Sequence, residues 1–314
     1  MPAAEATAQA NAAQAGPHKH RAAALAALAA GIACIGLSAI FVKLAGISGP
    51  ASALYRVLVA GSVLLPWWLA RRGPLPARAD IRLILTGGIF FAADIALWNT
   101  SILYTTAATA TLLANNAPLW VGLASCLLFR ERLSGSYWLG LAVAMAGTVW
   151  LVGGDAYRHL GLGPGNLLAL LAGVFYAAYL LVTHRARKRV DLLSVITLST
   201  LASIVVLLPV NLALGTALSG FSRRTWLALA GMGLVSQLGG WMAINYALGH
   251  LRAAPVSVAL LAQVVVTALV AMPLLGEYLK LNQVGGGVLV LAGIYLVTRS
   301  RGEPPARPEP DRAR

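Results

Sequence analysis

PLWVGLASCLLFRERLSGSYWLGLAVAMAG at residues 118–147 and VVVTALVAMPLLGEYLKLNQVGGGVLVLAG at residues 264–293 read as two copies of one pattern. A shift of 146 positions brings Glu131 and Leu133 onto Glu277 and Leu279, Gly140 onto Gly286, and Ala146-Gly147 onto Ala292-Gly293. The register continues upstream without a gap, placing Ala107-Ala108 on Ala253-Ala254, Asn99 on Asn245 and Gly87 on Gly233. Single identities come easily among Gly-, Ala- and Leu-rich segments. A shared Asn, a shared loop Glu and constant spacing over more than sixty positions do not, so the chain reads as an internal repeat.

Composition says what is repeated. Of 314 residues 59% are hydrophobic and 11% charged, whereas soluble domains carry about 25% charged residues. A mean hydropathy of +0.76 agrees. So few charges exclude an ordinary soluble enzyme, and the apolar excess excludes disorder, collagen-like repeats and disulfide scaffolds. About 20 apolar residues cross a bilayer as a helix, and such runs lie at 22–44, 51–70, 81–103, 106–129, 136–153, 164–184, 191–213, 225–249, 254–276 and 281–299. The fold class expected is therefore all-α, a polytopic membrane protein of ten transmembrane helices. Residues 1–21 form a disordered tail, 22–153 a first five-helix repeat, 164–299 a second, and 300–314 a charged, Pro-rich tail. Cys34 and Cys126 sit inside apolar runs and read as small hydrophobes.

The net charge of +14 is spread over short connections rather than gathered on one face, which suits membrane orientation better than nucleic-acid binding. With the N-terminus inside, 18 of the Lys and Arg fall in cytoplasmic pieces, and four (Arg158, Arg223, Arg224 and Lys280) fall outside. Both termini are then expected in the cytoplasm. Five spans per repeat is an odd number, so the halves must thread the membrane in opposite directions. Inverted repeats of this kind offer two related packings of one bundle, and secondary transporters use them with the substrate site at the midplane between the halves.

At this point the residues resemble a known family, the EamA-type ten-helix members of the drug/metabolite transporter superfamily, over roughly residues 22–299. The resemblance is carried by Pro118, Phe129-Arg130-Glu131-Arg132-Leu133, Gly140 and Ala146-Gly147, by their echo Leu275-Gly276-Glu277-Tyr278-Leu279, Gly286 and Ala292-Gly293, and by Phe41-Val42-Lys43 and Arg56. One departure stands in the ninth span, where Val264 replaces a frequent proline and removes the usual cause of a helix break. The resemblance implies export of amino acids or other small metabolites.

No catalytic constellation, phosphate-binding Gly-rich loop or metal-ligand spacing is present in the sequence, so no enzyme activity, cofactor or metal is expected. Ionisable groups at membrane depth are costly and need a reason. Asp94 shares a helical face with Trp98 and Ser101, and reads either as a coupling or amino-group site or as a structural carboxylate paired with an Arg. Lys43 and Arg56 lie towards the outer ends of spans 1 and 2, where long side chains reach water. A carboxylate-bearing solute could also use either. A phosphate-bearing solute would want cavity Arg or Lys, and the deep spans lack them. Buried amides must turn inward. Gln237, Trp241 and Asn245 form one stripe at steps of four, and Asn115, Asn116, Trp120, Tyr176, Tyr179, Trp98 and Gln263 add polar and aromatic groups on neighbouring spans. Asn99 and Asn245 read as interhelical glue, Glu131 and Glu277 as loop-closing groups, and the tryptophans with Gln237 as a cavity lining.

The reading is a secondary transporter of a bacterial cytoplasmic membrane, exporting amino acids or similar metabolites by alternating access. Its expected partners are a small-molecule substrate and the lipid bilayer, not nucleic acid, and it works as a monomer or weak homodimer. A carrier of nucleosides, polyamines or sugar phosphates, and a non-transporting scaffold or receptor, are the alternatives.

Overall fold

The computed structural model describes residues 21–101, 104, 107–152, 163–275 and 281–299; both expected tails, Glu277, Arg158 and Lys280 lie outside them. Ten helical segments follow in order among the described residues. They are α1 (Arg21–Ala45), α2 (Gly49–Ala70), α3 (Arg78–Ser101), α4 (Ala107–Ala114 and Ala117–Phe129), α5 (Gly135–Val152), α6 (Pro164–Arg187), α7 (Leu192–Ala213), α8 (Arg223–His250), α9 (Ala253–Ala259 and Ala262–Leu275) and α10 (Leu281–Arg299). Eight of the spans are long and apolar enough to cross a membrane, and α5 and α10 supply two shorter apolar helices.

Local chemistry sets several ends. Gly46 takes φ +62° to close α1, as a left-handed C-cap does. Pro50, Pro118 and Pro164 stand in the first helical turns, where a missing N–H costs nothing. Asp191 and Ser222 accept the backbone N–H three residues on, at 3.1 and 3.2 Å, and start α7 and α8.

Packing inverts the pattern of a soluble protein. Leu127, Leu128, Val205, Leu212 and Leu227 are exposed, while Ser52, Ser203, Asn211, Ser236 and Asn245 are buried. The apolar outside is what hydrocarbon tolerates, and the buried hydroxyls and amides bond to carbonyls inside the bundle. Ser203 donates to Gly88, Asn211 to Pro50 and Ser236 to Cys34.

The halves meet with two-fold logic. α5 packs along α10, α2 along α7 and α4 against α9, each helix beside its own repeat mate. The contact of α3 with α6 recurs as α8 with α1, and that of α3 with α7 as α8 with α2. The α5–α10 seam gives the direction. A methyl group on Gly140 would lie 2.7 Å from the Gly293 carbonyl oxygen, and one on Gly147 would lie 2.8 Å from that of Gly286. Position numbers rise along one helix as they fall along the other, so the mates run antiparallel. Exchanging the halves converts one contact into the other, because Gly140 corresponds to Gly286 and Gly147 to Gly293. Only glycine allows backbones this close.

The breaks in α4 and α9 also correspond. Asn115-Asn116 interrupts α4 and Leu260-Leu261 interrupts α9, within one position of the repeat register. At each, the hydrogen bonds tighten to i→i+3, with Asn116 N–H donating to Leu113 and Gln263 N–H to Leu260. Pro118 follows the first break; the second forms with Val264 and no proline. The α9 break therefore forms without a proline at position 264.

One face of the bundle gathers the arginine-rich connections. Arg71 pairs with Asp191 at 2.5 Å, Arg189 with Asp80 at 4.0 Å, and Arg252 with Glu131 at 3.7 Å. On the opposite face Tyr55 donates to the Leu218 carbonyl and Thr225 to that of Ala45.

Candidate functional site

The site grows from one departure from regular helix. In α8 the stretch Met232–Gly240 takes π-helical hydrogen bonding, a feature that widens the turn and clusters at functional positions. Gly233 within it touches Val59 and the Arg56 carbonyl on α2. This brings Gln237 against α2, while Trp241 and Asn245 continue on regular helix.

Arg56 turns into the bundle. Its Nε donates to Gln237 Oε1 at 2.6 Å and its Nη1 to Ser38 Oγ at 3.2 Å. Its guanidinium lies 6.0 Å from the Phe91 ring centroid, within cation–π range. A guanidinium carries five N–H donors, so three are left unspent on the described residues. Asp94 stands three positions beyond Phe91, on the same face of α3.

An aromatic wall continues from Phe91. Its ring sits 4.8 Å from that of Tyr179 and 5.1 Å from that of Trp241. Tyr179 and Tyr176 lie 5.1 and 5.9 Å from Trp241, both edge-on. Asn245 fixes the wall by donating to Tyr179 Oη at 3.2 Å and to the Trp241 carbonyl at 2.8 Å. Trp241 is 4% exposed, yet its indole Nε1–H has no acceptor among the described residues. A buried donor without a partner costs about 1–3 kcal/mol, so an acceptor arriving beside it is favoured.

Of the residues expected from sequence, the structure brings together Arg56, Asp94, Tyr176, Tyr179, Gln237, Trp241 and Asn245. Others lie apart from this cluster. Asn116 spends its amide on the carbonyls of Leu113 and, at 3.3 Å, Leu170 of α6; Asn115 is buried beside it in the α4 break. Asn99 donates to Ile95 at 2.6 Å and packs against Gly49. Trp120 is 41% exposed and Trp98 half-buried, and neither joins the ring contacts above. Gln263 is half-buried at the α9 break, Lys43 is exposed, and Glu131 pairs with Arg252. Glu277 lies outside the described residues. Arg56 corrects the expectation that the deep spans offer a solute no cation: acceptors on α1 and α8 and the face of Phe91 hold it inward. Ser38 and Phe91 escape a sequence reading. Phe91 carries one signal, its i, i+3 spacing to Asp94.

A separate cleft of about 370 Å³ opens on the arginine-rich face, lined by Trp68, Arg71, Asp80, Arg189, Asp191 and Ser194. Its acids are already paired with its arginines, and it clasps two connections rather than facing the central cluster.

A family model, that of the EamA-like transporter family, matches residues 21–153 and again 163–299. The chain belongs to the EamA-like transporter family. The duplicated match coincides with the repeat, and the family's members are transporters. Among curated relatives, an uncharacterized transporter of Bacillus subtilis (strain 168), YdfC, is 24% identical over 77% of this chain and 79% of its own. A probable terminal-alkyne amino-acid exporter of Streptantibioticus cattleyicolor is 29% identical over 72% of this chain and 77% of its own. One protein crystal structure superposes with a TM-score of 0.75 at 20% identity, covering 88% of this chain and 96% of that one. That likeness concerns the fold alone. As an EamA-like protein, the chain is a multi-pass membrane transporter.

Proposed function

We propose that this EamA-like protein exports amino acids or similar small metabolites across the bacterial cytoplasmic membrane by alternating access, with both termini in the cytoplasm. The observation that carries the reading is the central cluster: one cation, one acid, an indole N–H with no acceptor among the described residues and an aromatic wall, contributed by both halves of an inverted repeat. Such a site suits a small solute bearing both charges on an apolar body. The solute class and the outward direction take support from the exporter among its relatives. The 18-to-4 bias of Lys and Arg supports the orientation.

Lodging at the midplane, the solute would be exposed to one side at a time as one set of helices rocks against the other. On the arginine-rich side, the Glu131–Arg252 pair joins the α4–α5 connection to the α8–α9 connection, across the two halves. Opening towards the cytoplasm requires that pair to part. A polyamine would call for several cavity acids, and a sugar phosphate for more than one cation; Arg56 facing Asp94 meets neither demand.

The test is uptake of labelled amino acids into proteoliposomes, paired with growth of an expressing strain under toxic levels of each amino acid. The reading expects faster uptake than in empty vesicles for at least one amino acid, and rescue of growth by the same one. No amino acid crossing faster than in empty vesicles overturns it.

A further inference from the structure

The Arg56 guanidinium lies over the Phe91 ring, and the Trp241 indole, whose Nε1–H has no acceptor among the described residues, packs against the same ring in a T-shaped contact. Both groups keep donors without acceptors among the described residues, on helices from opposite halves. Asp94, one helical turn along α3, places a carboxyl group on the same face. Phe91, Tyr176 and Tyr179 surround the cluster with rings, whose faces also attract a cation. Arg56 and Asp94 therefore bring a cation and an acid to one aromatic cluster.

Resting on the transport of amino acids argued above, we propose that this cluster reads the zwitterion itself: Arg56 with Trp241 Nε1–H takes the α-carboxylate, and Asp94 with the aromatic faces takes the α-ammonium. Gln237 and Ser38 are positioning residues. Their oxygens hold two of the guanidinium donors and aim the remaining ones at the solute. A guanidinium engages a carboxylate through two parallel hydrogen bonds, a geometry that an ammonium cannot reproduce. The π segment of α8 places Gln237 against α2, so carboxylate recognition spans both halves and is sensitive to their relative movement.

The class of solute follows. An α-amino acid satisfies both poles. Its 2-oxo acid leaves Asp94 unpaired, and its decarboxylated amine leaves Arg56 and Trp241 unpaired. Hydrogen bonds to charged groups are the strong ones, so each analogue should bind at least about tenfold more weakly.

The experiment takes the best-transported member of a labelled panel (leucine, phenylalanine, threonine and lysine) into proteoliposomes with the wild-type protein. Its own 2-oxo acid and its own decarboxylated amine are the competitors. The proposal expects the unlabelled parent to compete at least tenfold better than either analogue; either analogue within tenfold overturns it while leaving amino-acid transport standing. If no panel member enters, the functional reading falls and this proposal with it. Variants sharpen the assignment, each checked for an unchanged melting temperature and a single size-exclusion peak. Asp94→Asn should bring the 2-oxo acid within tenfold of the parent. Arg56→Lys should raise the apparent KM at least tenfold with little change in maximal rate, and Trp241→Phe, which keeps a ring and removes the N–H, should raise it severalfold. Unchanged competition and KM in all three folded variants overturn the assignment of the poles.

Discussion

The α5–α10 seam and the α3–α8 pair are built from the same repeat and have diverged to different degrees. Along the seam the contact of Gly140 with Gly293 is matched by that of Gly286 with Gly147, backbone against backbone. In the centre the match fails. Gly87 of α3 faces Val182 of α6, whereas Gly233 of α8 faces Val59 of α2. The π segment Met232–Gly240 accounts for the difference: it changes which face of upstream α8 meets its neighbours and lets Gln237 reach Arg56. Close backbone packing tolerates little drift, because every departure meets a carbonyl or an amide. The proposed zwitterion site needs two unlike poles, and a strictly two-fold arrangement would supply two like ones. On that proposal, symmetry is kept where packing demands it and given up where recognition does.

The largest test of that contrast is overpacking the seam. A Cβ on Gly286 would stand 2.4 Å from the Leu151 backbone nitrogen, and one on Gly293 2.4 Å from that of Ala144. Gly286→Val and Gly293→Val should each destabilise the bundle by about 3 kcal/mol or more, seen as lost monodisperse protein in size exclusion. Gly239→Ala, in the π segment where the nearest atom is 3.5 Å away, should leave yield and melting temperature unchanged.

Next in size is the aromatic pair of opposite fates. Trp120→Ala, at an exposed position outside the ring cluster, should alter transport less than twofold. Tyr179→Ala, which removes a 3% exposed ring from against Phe91 and Trp241, should abolish transport and cost about 3–5 kcal/mol of stability by analogy with other buried aromatics.

The repeated asparagines sharpen the comparison further. Asn245→Ala, which removes the bond from α8 to Tyr179 of α6, should cost about 0.6 kcal/mol, with about 1.7 kcal/mol as a ceiling, as interhelical polar contacts in membranes do. Asn99→Ala, which removes a bond within α3 and corrects its reading as interhelical glue, should cost less. Asn245 also anchors Tyr179, so only its replacement should slow transport, severalfold at fixed solute concentration.

The smallest effect lies away from both regions. Partial burial pushes the Asp191 carboxyl up, but hydrogen bonds from Ser194 and the nearby Arg71 guanidinium outweigh it and hold the group below the usual carboxylate range. A depressed carboxylate stabilises the fold above its unfolded pKa, and that stability is lost as pH falls through its lower folded pKa. Both partners of the Arg71–Asp191 pair are more than a third exposed, so the effect should stay below about 1 kcal/mol. The acid limb of a melting-temperature profile should flatten slightly in Asp191→Asn.

The spans and the repeat are legible in the sequence because they rest on averages: hydropathy over twenty residues, and small residues spaced for close approach. Gly140, Gly147, Gly286 and Gly293 show the repeat and close helix approach through their type and register, but not that the fifth and tenth helices are the partners. The centre is less legible for physical reasons. An arginine near a helix end can reach out to water or in to Gln237 with the same sequence around it, and the choice depends on acceptors from α1 and α8. Phe91 looks like any other core residue until Arg56 lies over it. The π segment and the α9 break are properties of backbone hydrogen bonding, and Leu260-Leu261 carries no residue signature of a turn. The i, i+4 stripe of Gln237, Trp241 and Asn245 marks the right helix but not the partners that give its groups their roles.

Opposite threading of the halves can be read directly from sidedness. Ser134 and Lys280 are repeat mates at the shift of 146. With Cys34 and Cys126 replaced by alanine, Ser134→Cys and Lys280→Cys proteins in intact cells and in inverted vesicles are treated with a membrane-impermeant maleimide. The account predicts that Ser134→Cys reacts only from the cytoplasmic side and Lys280→Cys only from the outside. Labelling of both from the same side would contradict it.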